Sequence, residues 1–142
     1  MRLVIDTAAM VAAMRSDQGA SRRLLVAGLE RRLTLLVSTP LLIEYEAVMT
    51  RVEHLEASGL SQAEVGHLLD AVAAAATPVR LAFQWRPMLR DPDDDMVLET
   101  AVNGRADAIV TFNRRDFLPQ AERFGTPVLE PGEVLRRLEA RP

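Results

Sequence analysis

The chain has no cysteine, no lysine and only two histidines among its 142 residues. The missing cysteine excludes a disulfide framework, a thiolate metal site and a cysteine nucleophile. There being no lysine, all 17 basic residues are arginine. His54 and His67 lie too far apart in sequence for a short metal-binding motif, and both read as surface residues. Long apolar runs are also missing. Ala8 to Met14 is among the longest and falls well short of the ~20 residues a membrane span needs. Acids outnumber bases by 20 to 17, for a net charge of −3, which argues against a general nucleic-acid coat protein. The chain enters Leu3-Val4-Ile5 at once, with no signal-peptide pattern, and a soluble cytoplasmic protein is expected.

What is present is a globular composition, 49% hydrophobic and 26% charged, in a length that suits one domain spanning 1–142. Apolar runs at Leu3–Ile5, Leu33–Ser38, Thr77–Phe83, Ala108–Thr111 and Thr126–Leu129 read as strands. Between them lie helical patterns. One covers Ala8–Met14 and another Ser21–Arg32. A third opens at Ser38-Thr39-Pro40, a hydroxyl cap followed by proline, with Leu41, Leu42, Tyr45, Val48, Met49 and Val52 on its apolar face. A fourth runs from the capping box Ser61–Glu64 to Ala76, a fifth over Asp93–Asn103, a short turn over Arg114–Leu118, and the last over Pro131–Leu138. Gln84–Pro92 reads as a loop, with Trp85 as an anchor on the core. This alternation predicts an α/β fold: a mostly parallel sheet of about five strands with helices on both faces. In such sheets ligands bind beyond the carboxyl ends of the strands.

The segments at those ends are acidic. Asp6 closes the first strand, Glu44 and Glu46 follow the second, Asp91, Asp93, Asp94 and Asp95 follow the third, and Asn113 and Asp116 follow the fourth. Carboxylates converging from several elements repel one another unless a cation neutralises them. Oxygen donors suit Mg²⁺ or Mn²⁺, which can activate water against a phosphodiester. Each acid also has a plainer reading as a helix cap or a first-turn acid answering the helix dipole. Four aspartates in five residues exceed that need. At ~100° per residue, Asp94 points within roughly 10° of the inward stripe of Val97, Leu98, Ala101 and Val102, with Asp93 and Asp95 roughly 90–110° to either side. Periodicity does not separate Glu44 from Glu46. Asp91, held extended before proline, reads as a loop-orienting residue or a support for the ligands. Asp107 reads as structural, and Glu53, Glu56, Glu64 and Glu99 as solvated helix residues. There is no GxSxG elbow, GxGxxG loop or P-loop, and a dehalogenase-type phosphatase would need an aspartate where Ala8 stands.

Four segments together resemble the PIN-domain family, in its branch of VapC-like toxins of toxin–antitoxin systems. They are Leu3–Thr7, Ser38–Tyr45, Arg90–Asp95 and Ala106–Phe117. The resemblance implies a Mg²⁺- or Mn²⁺-dependent endoribonuclease with Asp6, Glu44 and Asp94 as the metal-binding acids. It implies that Thr111 orients ligands or the attacking water. It also implies a homodimer and an antitoxin partner. Many relatives carry a further acid two residues after that threonine; here the position is Asn113, whose amide brings oxygen but no charge. Asp116 and Asp95 are expected to support the site from behind its ligands. Arg114 and Arg115 are the expected phosphate contacts, ahead of Arg22, Arg23, Arg31 and Arg32. Two other classes remain open: a non-catalytic scaffold that binds metal or a partner, and a different metal-dependent phosphoesterase or DNA nuclease. The charge balance also takes on a different meaning. Setting aside Asp6, Glu44, Asp91, Asp93, Asp94 and Asp95 leaves 14 acids against 17 arginines.

Overall fold

The computed structural model describes residues 1–82 and 89–140. The final residue of the expected third strand, most of the loop after it, and Trp85 lie outside the described residues. Five strands form one sheet in the order β3-β2-β1-β4-β5, and all the pairings are parallel. They are β1 (Arg2–Ile5), β2 (Thr34–Val37), β3 (Thr77–Pro78), β4 (Ala108–Val110) and β5 (Val128–Leu129). The sheet grows outward from β1 to β3, and the chain then returns to the other side of β1 for β4 and β5. Right-handed crossovers therefore place helices on both faces and create a switch point between β1 and β4. Leu3, Val4, Ala108, Ile109 and Val110 are essentially inaccessible, as expected of central parallel strands covered on both sides.

The helices are α1 (Thr7–Arg15), α2 (Ala20–Leu29), α3 (Thr39–Met49), α4 (Val52–Ser58), α5 (Gln62–Ala75), α6 (Pro92–Asn103), α7 (Gln120–Arg123) and α8 (Pro131–Glu139). Their starts follow the sequence signals. The Ser38 hydroxyl accepts from the Leu41 N–H with Pro40 in the first turn, and both halves of the Ser61–Glu64 capping box form. Gly28 lets α2 lie against β2, because a Cβ there would stand 2.5 Å from the Leu35 side chain.

Three expectations need correction. The helix after β2 does not carry its stripe to Val52. It stops at Met49, restarts at Val52 from an extended Arg51, and leaves Val52 66% exposed. The second helix ends at Leu29, not Arg32, because Arg31 takes a left-handed φ of 61°. Among the described residues, the strand expected over Thr77–Phe83 forms only at Thr77–Pro78. The four-residue α7 was not foreseen. None of the helices among the described residues is long and apolar enough to cross a membrane.

Candidate functional site

The switch point is built around Asp6. Its backbone N–H donates to Val110 O at 3.0 Å, which fixes the end of β1 against β4. Its side chain is nearly buried and makes two bonds. One carboxylate oxygen accepts from the Ala9 N–H at 2.8 Å and caps α1; the other accepts from the Thr111 hydroxyl at 2.5 Å. The cap reading of Asp6 is therefore correct, but each oxygen keeps a free lone-pair direction. Thr111 is fully buried. Its single hydroxyl proton is committed to Asp6, and its oxygen accepts from the Asn113 N–H at 3.0 Å. Thr111 thus ties the rim of β4 to the Asp6 carboxylate. Thr111→Val keeps the shape and removes both bonds. We expect a loss of roughly 1–3 kcal/mol in unfolding free energy, read by urea denaturation.

Beside Asp6 opens a cleft of about 350 Å³ lined by acids from four segments: Asp6, Glu44, the α6 start with Asp91, Asp93 and Asp94, and Asp116. Asn113 lines it too. Glu44 reaches it from α3, whose inward face is anchored by the buried Tyr45 with its hydroxyl donating to Ile5 O at 2.5 Å. Glu46 does not line the cleft, so the structure separates the two glutamates where periodicity did not. Asp91 caps α6 by accepting from the Asp93 N–H at 2.9 Å, and the Asp94 N–H donates to Asp91 O at 3.0 Å. Together these set the direction in which Asp94 projects.

The phase argument placed Asp94 inward and Asp95 to the side. In the structure Asp94 is half-buried and faces the cleft, whereas Asp95 is the buried one. Asp95 turns away from the cleft and accepts from the Leu89 N–H at 2.9 Å, pinning the segment that leads into α6. The reason is that α6 is buried over a wider arc than its apolar stripe. Glu99 and Thr100 are fully buried as well, and Glu99 is not the solvated residue expected from sequence. Asp116 comes into the cleft because a 3₁₀ turn over Arg114–Asp116 folds the chain back. With Asp116 in and Asp95 out, the cleft still holds six acids.

These carboxylates press on one another. Asp94 has its pKa pushed up to about 7, first by burial and then by Asp91, Asp116, Asp6 and Asp93. Burial also raises Asp6, against the lowering effect of its bonds from Thr111 and Ala9. Glu44 is raised by burial and by Asp93, with Arg51 opposing. Arg51 and His54 stand on the cleft wall, and sequence reading missed both. The break between α3 and α4 is what turns them there, and no local motif signals it. Arg15 approaches His54 Nδ1 at 3.5 Å. A guanidinium only donates, so His54 Nδ1 is the acceptor.

The donor set suits a hard divalent cation: carboxylates, one amide and no sulfur. Among the described residues no three acidic or histidine side chains are already drawn together around one ion position. Asp6, Glu44 and Asp94 are raised first by burial, and the neighbouring acids add to it; the same repulsion keeps the carboxylates apart. A cation would relieve both.

The arginines divide clearly. Arg22 binds the Ala13 and Met14 carbonyls at the end of α1 and pairs with Asp17. Arg23 pairs with Glu139, Arg32 with Glu30, and Arg31 bonds Ala74 O. These are structural contacts and form no track toward the cleft. Arg114 is pinned by its Nε to Val128 O at 2.9 Å, and Arg115 lines two cavities beside the acids. Asp107 is structural, accepting from the Arg2 N–H at 2.7 Å.

Comparison with known proteins identifies the family and the fold. The PIN domain family model matches residues 2–115. Among solved structures, a chain of VapBC2 from Rickettsia felis, crystallised with a DNA fragment from the promoter, superposes with a TM-score of 0.60. It shares 15% identity over 92% of this chain and 98% of its own. No curated protein matches.

Proposed function

The chain belongs to the PIN domain family, and from that premise we propose that it is a metal-dependent endoribonuclease and the toxin of a toxin–antitoxin pair. The observation that carries the reading is the convergence of Asp6, Glu44, Asp94 and Asp116 from separate segments on one cleft at the switch point of the sheet. Asp6, Glu44 and Asp94 are the residues to hold Mg²⁺ or Mn²⁺. Asp116 supplies the charge that Asn113 lacks, while Asn113 keeps an amide oxygen at the rim. The ion, when bound, lowers the pKa of water and offsets phosphate charge. The protein's own part is placement. Thr111 and the α1 N-terminus hold Asp6, Asp91 aims Asp94, and Arg114 and Arg115 offer paired donors to flanking phosphates. The fold similarity to a chain of a toxin–antitoxin complex supports an antitoxin partner, and a homodimer is the assembly that fits the family.

The test is cleavage of single-stranded RNA and of DNA of the same sequence with Mg²⁺, Mn²⁺ or EDTA. RNA cut only with metal, and DNA left intact, is the expected result. Cleavage of DNA alone would replace the ribonuclease reading with that of a DNA nuclease. RNA affinity is expected to rise when metal is added, because six clustered acids otherwise repel a polyanion. Anisotropy of labelled RNA measures this, and equal affinity with and without metal would contradict it.

A further inference from the structure

A second cavity, of about 530 Å³, adjoins the acidic cleft and shares Asn113 and Asp116 with it. Its other lining residues are Phe112, Arg114, Arg115, Leu118 and Glu130. Phe112 is the second residue after β4 and Glu130 immediately follows β5, so this cavity lies beyond the carboxyl ends of the next strand pair along the rim. Its volume is within the range of small-ligand sites, roughly 300–1,000 Å³.

A single exposed aromatic is ordinary on a protein surface. Phe112 differs by its place. It is 49% exposed between Thr111, which holds Asp6, and Asn113, which lines the acid cleft. The polar groups around it are also uncommitted. Glu130 stands at the N-cap of α8 without making a side-chain cap bond, and among the described residues it has no ion-pair partner. Arg115 likewise has no ion pair among the described residues and lines this cavity and its neighbour. Arg114 is held by its Nε, leaving its terminal nitrogens to donate outward.

We propose that this cavity is a nucleotide subsite next to the scissile phosphate, in which Phe112 stacks the base, Arg115 contacts a phosphate and Glu130 selects the base. This rests on the ribonuclease reading of the adjoining cleft. Stacking is sequence-tolerant because every base has a π-face. Selection comes from Glu130. A carboxylate only accepts, so it favours a base carrying an exocyclic amino group, as cytosine, adenine and guanine do. It disfavours uracil, whose single N3–H donor is flanked by two carbonyl oxygens that repel a carboxylate.

The experiment uses short single-stranded RNAs that differ only at one base beside the cleavage site, with the 142-residue chain and its Phe112→Ala, Phe112→Trp, Glu130→Gln and Phe124→Ala variants. Cleavage is followed with Mg²⁺ or Mn²⁺, and binding by anisotropy with Ca²⁺ in their place. Phe112→Ala is expected to raise KM and Kd roughly tenfold, with Phe112→Trp restoring both. Glu130→Gln is expected to narrow the discrimination against uracil. Phe124→Ala, which removes another exposed aromatic that does not line either cavity, is expected to change neither. Wild-type cleavage with unaltered affinity and base preference in Phe112→Ala and Glu130→Gln would overturn the subsite and leave the nuclease reading intact. RNA binding that depends on Phe112 without any cleavage would keep the subsite and overturn the nuclease reading. Absence of both binding and cleavage would overturn both.

Discussion

Asp94→Asn is expected to abolish the proposed metal-dependent RNA cleavage and, in metal-free buffer at pH 8, to make the protein harder to unfold. Cleavage falls by roughly 10²–10³-fold or more, the size seen when a group acting on transition-state charge is removed. The stability gain follows from the pKa. Asp94 has its carboxyl raised from 3.8 to about 7 in the folded chain, so the folded state holds this proton more tightly than the unfolded one. Stability from that proton is full below about pH 4 and is lost as the pH rises to about 7. Three pH units correspond to about 4 kcal/mol without screening. Asp94 is half open to water, which reduces this to roughly 1–2 kcal/mol. Asparagine carries no such proton and no such penalty. The variant should therefore melt roughly 3–8 °C above wild type at pH 8 with EDTA. The two should converge near pH 4.5, and added Mn²⁺ should close the gap at pH 8 by stabilising wild type alone. A variant that melts below wild type at pH 8 would show that Asp94 is not strained by its neighbours.

Asp6 gives the second large effect, and here two substitutions separate function from folding. Asp6→Asn is expected to lose cleavage as fully as Asp94→Asn while folding normally. Asparagine is a good helix cap, and its oxygen can still accept from the Ala9 N–H. Its amide then faces Thr111, whose hydroxyl can rotate to accept. Asp6→Ala loses the cap, roughly 0.5–2 kcal/mol, and also deprives the buried Thr111 hydroxyl of its acceptor, roughly 1–3 kcal/mol. Cleavage assays with thermal melts on both variants check this. Equal stability of the two would mean that the Ala9 and Thr111 bonds contribute little.

Much of this site was legible from residues alone, for a physical reason. An acid directly after a buried strand in a parallel sheet has few places to go except the rim, so Asp6 could be read from Leu3-Val4-Ile5-Asp6. Asp94 could be read from its excess over what a helix dipole needs. Ser38-Thr39-Pro40 and Ser61–Glu64 announced their helices because capping is local chemistry. Glu44 was not separable from Glu46 by periodicity; the decision comes from which flank of α3 faces the start of α6, a tertiary arrangement that no local pattern carries. Glu99 was misread, and the depth of Asp95 was not legible, because α6 is buried on more than one side, which a single apolar stripe does not reveal. Arg51 and His54 enter the cleft only because the chain breaks between α3 and α4, and Asp116 only because a 3₁₀ turn folds it back. The net charge belongs with these. A value of −3 reads as a repeller of RNA until six acids are found gathered in one cleft that suits a cation.

Calorimetric titration of Mn²⁺ into the wild type, Asp6→Asn and Asp94→Asn at pH 7.5 decides whether this cleft is a divalent-metal site. Saturable binding by the wild type, weakened at least roughly tenfold in each folded variant, is expected. The same Mn²⁺ affinity in all three proteins would contradict it.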